Sequence, residues 1–279
     1  MTITTRDDFF NAMANNSSRL IIDKASVSNV AATQFHSLWR ATGQPGQGAI
    51  PTTAATCDNT LTGALQFNQQ TAPATSYLSI LESMCSNAST TLEIHDRLMH
   101  MGGLNGTLTS AQTVGLDVDA NIANDNIVTR IGDSNYSDVQ WWMEWYTDTG
   151  ASAVVATVNV TYNDGTSGNL SNVTLTSTRR ASLMIPLNSL IPAADSGKFI
   201  RDINTVTLSA TTGTAGNFGF TATRYRGAMF MPVANARFTA KWDDLGIPEI
   251  PNESCLFPIV VPGATTTGVV RATGKIAHG

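Results

Sequence analysis

Gln140-Trp141-Trp142-Met143-Glu144-Trp145-Tyr146-Thr147-Asp148 and, six residues on, Val154-Val155-Ala156-Thr157-Val158-Asn159-Val160-Thr161-Tyr162 decide the fold class. Side chains alternate faces along an extended chain. In the first run Trp141, Met143 and Trp145 share one face, and Trp142, Glu144 and Tyr146 share the other. In the second, Val154, Ala156, Val158, Val160 and Tyr162 face one way, against Thr157, Asn159 and Thr161. Thr149-Gly150 ends the first run. Asn163-Asp164-Gly165 supplies the left-handed residues of a tight turn, and the chain returns through Leu170, Val173 and Leu175. The whole stretch from Gln140 to Thr176 reads as a hairpin whose Trp141/Met143/Trp145 face is core.

Further strands follow at short spacing. They are Leu183–Leu187, with Pro186 favouring an edge or a strand end, then Val206–Ala210, Phe218–Ala222, Cys255–Val261 and Thr266–Ile276. Gly213–Gly219 reads as a hairpin loop, since no helix follows it to bind a phosphate. The pattern predicts a mainly β chain. It is expected to be an antiparallel β-sandwich, with jelly-roll and immunoglobulin-like topologies not distinguished, and with a short helical and loop-rich N-terminal part.

That N-terminal part opens on a helix. Thr5 is the N-cap, Asp8 stands at the capping-box position, and Phe9, Phe10 and Met13 share a face. Arg19–Asp23 is a short strand. Ser76–Ser86 reads as a second helix, because Leu78, Leu81 and Cys85 recur at i, i+3 and i+7. Thr91–Met101 is a strand or mixed segment. Between Ser26 and Ala74 periodicity is lost, and Phe35, Leu38 and Trp39 are isolated apolar anchors. This segment is either an arm ordered by neighbouring subunits or a loop-rich part of one domain, and the arm is favoured. The division expected is 1–135 for the arm and loop-rich, helical region and 136–279 for the β-sandwich, with N-terminal strands free to join the same sheet.

Composition narrows the function. The 279 residues are 42% hydrophobic, enough for a real core, yet only 13% charged, against about 25% in ordinary soluble proteins. Short polar residues replace the missing charge. They lose less rotamer entropy than Lys or Glu when covered, so extensive interfaces are one reading and Thr-rich strands the plainer one. Net charge is -5 with no basic run, which argues against direct nucleic-acid binding. No apolar stretch approaches the ~18 residues of a membrane helix. Met1–Asp8 has no apolar leader core, so a soluble chain made in a cytoplasm is expected. Cys57, Cys85 and Cys255 are odd in number and widely spaced, unlike a disulfide framework or zinc site.

No catalytic constellation emerges. His95 and His100 are five residues apart, on opposite faces of a strand, and read as surface or core-edge histidines. His36 is isolated, and His278 lies near the chain end, where disorder is common. Glu144, flanked on its face by Trp142 and Tyr146, resembles a sugar-stacking surface. Its nearest carboxylate on that face, Asp148, lies ~13 Å along the strand, too far for a glycosidase pair. Asp117, Asp119 and Asn121 open like a calcium loop, but Ile122 and Val128 stand where Gly and Glu belong. Catalytic residues, cofactors and metals are therefore all expected to be none.

Four stretches carry a resemblance: Ser37–Gly46, Trp142–Gly150, Val158–Thr166 and Val206–Gly219. They are similar to virion structural proteins of tailed bacteriophages. The resemblance implies a non-enzymatic virion subunit made in the host cytoplasm. Within that group it points to a capsid cement or decoration protein that stabilises the phage head, packed as a homo-oligomer, commonly a trimer, against the major capsid protein. The alternative is a tail, fibre or baseplate component with a receptor- or glycan-binding role. Phe35, Trp39, Trp142 and Tyr146 are the interface candidates.

Overall fold

The computed structural model describes residues 2–121, 130–175 and 181–279. In chain order the elements are α1 (Arg6–Asn15), β1 (Ser17–Lys24), β2 (Phe35–Ser37), β3 (Gly43–Gln44), β4 (Ala55–Thr56), β5 (Ser76–Cys85), β6 (Thr90–Leu104), β7 (Gln112–Asp117) and α2 (Val118–Asn121). They continue with β8 (Val139–Thr147), β9 (Val154–Tyr162), β10 (Ser167–Asn169), β11 (Val173–Leu175), β12 (Leu183–Pro186), β13 (Ile200–Leu208), β14 (Asn217–Met231), β15 (Phe238–Ala240), α3 (Trp242–Leu245), β16 (Leu256–Val261) and β17 (Val270–His278). The chain is mainly β, and its strands pair antiparallel.

Two compact units result: Met1–Ala49, Asp58–Asp96 and Tyr225–Gly279 form unit 1, and Ile50–Cys57 and Arg97–Arg224 form unit 2. The boundary expected near residue 135 falls inside unit 2. Strand pairing explains the difference, because β17 near one end of the chain lies between β1 and β5 from the other.

In unit 2, one sheet has the order β10-β9-β13-β7, with β11 also on β9. A second group sets β8 against β12 and against residues 217–224 of β14. The valine face of β9 is buried as its alternation demands. The turn after β9 closes through Gly165 at φ 81°, and β10 returns with Val160 opposite Gly168. Trp141, Met143 and Trp145 of β8 share one apolar cluster with Ala156, Val158 and Val160 of β9. The expected hairpin is nevertheless shorter than Gln140–Thr176. β8 and β9 pair with different partners, and only β9, β10 and β11 form the hairpin; Thr176 lies outside the described residues. The Gly213–Gly219 loop likewise is not a hairpin loop, because β13 pairs with β9 whereas β14 pairs with β8.

In unit 1, α1 forms as its capping box requires. The Asp8 N–H donates to Thr5 Oγ1 at 3.2 Å, and the Thr5 N–H donates to Asp8 Oδ2 at 2.9 Å. Phe9 and Ala12 are buried, while Phe10 is 37% exposed. The main sheet has the order β15-β5-β17-β1-β3. β5 corrects the expected Ser76–Ser86 helix. Its register against β17 shifts between Leu78 and Ile80, so Ser79 is an extra residue. That bulge puts Leu78 and Leu81 on the same buried face three residues apart, which imitates helical spacing.

The Ser26–Ala74 segment is not a detached arm. Leu38, Ala41, Leu65 and Phe67 enter the unit 1 core. Trp39, 1% exposed, donates from Nε1 to the Ala49 carbonyl at 2.9 Å and meets Phe257 edge-on at 6.1 Å. Lys24, fully buried, donates to the carbonyls of Ala41 (3.0 Å) and Pro45 (2.6 Å). Burial pushes its ammonium pKa down to about 8.

Gly219 gives the fold a sharp test. A Cβ there would lie 1.7 Å from the Met101 carbonyl oxygen. Gly219→Ala is expected to cost at least about 3 kcal/mol, because backbone rather than a movable side chain must give way. Urea unfolding checks this; an unchanged midpoint would contradict the close approach.

Candidate functional site

The strongest polar constellation is internal. β8 is buried on both faces, so Glu144 is 1% exposed although it faces away from the Trp141 cluster. Arg97 on β6 meets it, with Nη2 to Oε2 at 2.6 Å and Nη1 to Oε1 at 3.3 Å. Arg97 Nη2 also donates to Tyr146 OH at 2.9 Å and Thr221 Oγ1 at 3.1 Å. Tyr146 and Thr221 in turn donate to Glu144 Oε2. Arg97 Nε donates to His100 Nδ1 at 2.9 Å, which makes Nδ1 the unprotonated nitrogen. Arg130, 3% exposed, donates to the carbonyls of Cys57 and Arg97 and holds the backbone beside the pair.

Burial disfavours the Arg97 charge, but the adjacent Glu144 carboxylate outweighs it, and the guanidinium pKa is raised. Burial, with Glu144 beside it, also raises the Tyr146 phenol. This is a fork-to-fork ion pair with its remaining lone pairs supplied by hydroxyls. Glu144 already accepts from Arg97, Tyr146 and Thr221, so it is not presented as a general acid.

The interface candidates are corrected by the same burial. Trp142 and Tyr146 are each 3% exposed, and Trp142 Nε1 donates to Thr223 Oγ1 at 2.8 Å. Strand alternation separates two faces but does not say whether the second is wet or covered. Trp39 is buried in unit 1, and Phe35 is half-buried. Trp142 and Tyr146 share a face of β8 in unit 2; Phe35 and Trp39 lie in unit 1 and do not join them.

Unit 1 holds a second buried pair. Arg226 Nη2 lies 3.3 Å from Asp96 Oδ2, the Cys255 N–H donates to Asp96 Oδ1 at 2.9 Å, and Arg226 Nη1 donates to the Glu249 carbonyl at 3.0 Å. Sequence reading missed Arg97, Thr221, Asp96 and Arg226. The available signal was the charged Asp96-Arg97 inside an otherwise strand-like run.

The histidines are not peripheral. His95 is fully buried and bonded to Glu93 Oε2 at 2.8 Å. His36 bonds the Ala31 carbonyl at 3.0 Å, and burial pushes its pKa down to about 4. His278, far from disordered, lies between Ser18 Oγ (2.6 Å) and Ser76 Oγ (2.9 Å), and burial lowers its pKa too. Of the calcium-like residues, Asp119 accepts from Tyr136 OH at 2.9 Å and Asp117 lies opposite Asp202. Ile122 and Val128 lie outside the described residues. Among the described residues no group of three His, Cys, Asp or Glu side chains is placed to hold a metal ion. The three cysteines are free and buried. No described helix is long and apolar enough to cross a membrane.

No protein-family model and no curated protein matches the chain. Among solved structures, similarity is found to the infectious bursal disease virus VP2 subviral particle, at 10% identity over 94% of this chain and 79% of that one, with a TM-score of 0.17. The infectious bursal disease virus Gt strain structure gives 11% identity over 94% and 80%, also with a TM-score of 0.17. Scores this low superimpose too little of either chain to carry an argument about fold or role.

Two expectations follow from the buried groups. Arg97→Met leaves the Glu144 charge uncompensated and is expected to cost about 3–5 kcal/mol. Arg97→Met with Glu144→Leu should cost clearly less than the sum of the two single changes, and a double-mutant cycle in urea reads the difference. For the histidines the sign is set by their lowered folded pKa values. Unfolded His takes its proton near pH 6.5, so stability is full above that and falls toward about pH 4 for His36. The slope is up to about 1.4 kcal/mol per pH unit per group. His36→Gln should flatten the stability profile between pH 6.5 and 4; identical profiles would refute the assignment.

Proposed function

We propose that the chain is a non-enzymatic structural subunit of a virion, a capsid cement or decoration protein that stabilises a phage head together with copies of itself and the major capsid protein. The observation that carries this reading is the likeness of the four stretches to virion structural proteins of tailed bacteriophages. Three of them span β8, β9 with its turn, and the passage from β13 into β14. The fourth, Ser37–Gly46, contains Leu38, Trp39 and Ala41, all buried. The likeness therefore falls on segments that build the cores. The same reading takes unit 2 as a β-sandwich, with β8 and β9 contributing to one cluster from separate sheets.

The chemistry is consistent with a structural part. Glu144, the carboxylate singled out from the sequence, is an internal ion-pair partner. The aromatic platform considered for a glycan, Trp142 and Tyr146, is buried, which removes the specific support for a receptor-binding tail component. A sparsely charged exterior of short polar residues suits a surface that is covered on assembly.

The test is location on the particle. Quantitative mass spectrometry of purified virions, and of heads separated from tails, should find the chain in the head fraction at a copy number commensurate with the shell. Recovery in tails alone would sink the cement reading, and absence from virions would sink the virion reading.

A further inference from the structure

The unit 1 sheet carries an outer face that the fold leaves half uncovered. Strand parity and register define it. Ser17, Arg19 and Ile21 alternate on β1; Ala277, Lys275 and Thr273 face the same way on β17, in register with them. Tyr77, Ile80 and Glu82 continue the rows on β5, across the bulge. At one end α1 covers this face: Phe9 and Ala12 pack on Ala277, and the Phe9 ring meets Tyr77 edge-on at 6.5 Å. α3 stands beside α1, with the Trp242 ring 5.7 Å from Phe10. Beyond α1 the sheet is open, with Ile21 53% exposed in a shallow groove of about 360 Å³.

The two halves of this surface differ in charge. The open half carries Arg19, Lys275, Arg237 and Arg271 against Asp23 and Glu82. Arg271 pairs with Asp23 at 3.2 Å and Arg237 pairs with Glu82. Arg19 and Lys275 have no ion-pair partner among the described residues. The helical end carries Asp7 and Asp8 in the first turn of α1 and Asp243 and Asp244 in α3, against Arg6 and Lys241, so carboxylates outnumber cations there four to two. Asp8 and Asp244 are engaged in capping, whereas Asp7 and Asp243 have no ion-pair partner among the described residues. Between the helices lies a mostly apolar cleft of about 440 Å³, lined by Ile3, Phe9, Tyr77, Trp242 and Ile247 and, on its polar side, by Arg6 and its neighbours Thr4 and Thr5.

We infer that this surface pairs with the same surface of a second copy about a two-fold axis. A patch that holds a basic half and an acidic half side by side is its own complement when turned through 180°. Each copy then sets Arg19 and Lys275 against Asp7 and Asp243 of the other, and Ile21 against the apolar cleft. An unrelated acidic partner would satisfy the open half but leave the acidic helical end and its cleft unanswered. The pairing stands on this surface alone and is independent of whether the larger assembly is a virion.

Sedimentation equilibrium of the whole chain tests it. The expected result is a dimer whose dissociation constant rises with salt. Arg19→Glu with Lys275→Glu should weaken it at least tenfold, and adding Asp7→Lys with Asp243→Lys should restore it. Arg19, Asp7 and Asp243 are exposed and Lys275 is half-buried, and circular dichroism should show each variant folded. Ile21→Asp should also dissociate the dimer. A monomer, an oligomer other than a dimer, or a dimer that the charge reversal leaves unchanged or the charge swap fails to rescue overturns the inference.

Discussion

Glu144 places a carboxylate on a strand that is buried on both faces, and the rest of unit 2 is constrained by the need to answer it. Removing an ion from water costs several kcal/mol, which is recovered only when partner and hydrogen bonds are all in place. Here the partners come from separate strands: Arg97 from β6, Tyr146 from β8 itself, and Thr221 from β14. A one-residue slip of β8 against β14 would exchange its faces. Glu144 would then enter the Trp141 cluster, and Trp141 would leave it. The ion pair thus adds little to net stability by itself but makes the wrong register very unfavourable.

Asp96, the neighbour of Arg97 in sequence, is handled the same way in the other unit, by Arg226 and the Cys255 N–H. A chain with only 13% charged residues therefore keeps several of them inside. Lys24 adds another, held by carbonyls rather than by a carboxylate. The low charge of the exterior is thus lower than composition alone implies, and what charge remains on the unit 1 sheet is concentrated on one face.

What could be read from the sequence was what is decided locally. The β9–β10 hairpin follows from Asn163-Asp164-Gly165 and strict alternation, and α1 follows from Thr5 and Asp8; both depend on neighbours a few residues away. Ser76–Cys85 was illegible because a bulge at Ser79, made by pairing with β17, converts a period of two into an apparent i, i+3. The face of Trp142, Glu144 and Tyr146 was illegible for a different reason. Alternation separated it correctly from the core face, but only Arg97 and Thr221, 47 and 77 residues from Glu144, show that it is covered. His278 looked terminal and loose, yet β17 is an interior strand of its sheet.

That placement of β17 makes the unit 1 sheet depend on contacts that are distant in sequence. Ser17 pairs with Ala277 and Ser76 with His278, so the unit 1 sheet is built from segments about 200 residues or more apart in sequence. Contacts this distant in sequence carry a large loop-closure entropy and make folding slow. Until β17 is in place, β1 and β5 each have an unpaired edge, and the rows that join Arg19 to Lys275 or Ile21 to Thr273 do not exist. The charged outer face is thus a property of the finished sheet and of no single segment. A chain built this way presents that face only when the whole sheet is in place.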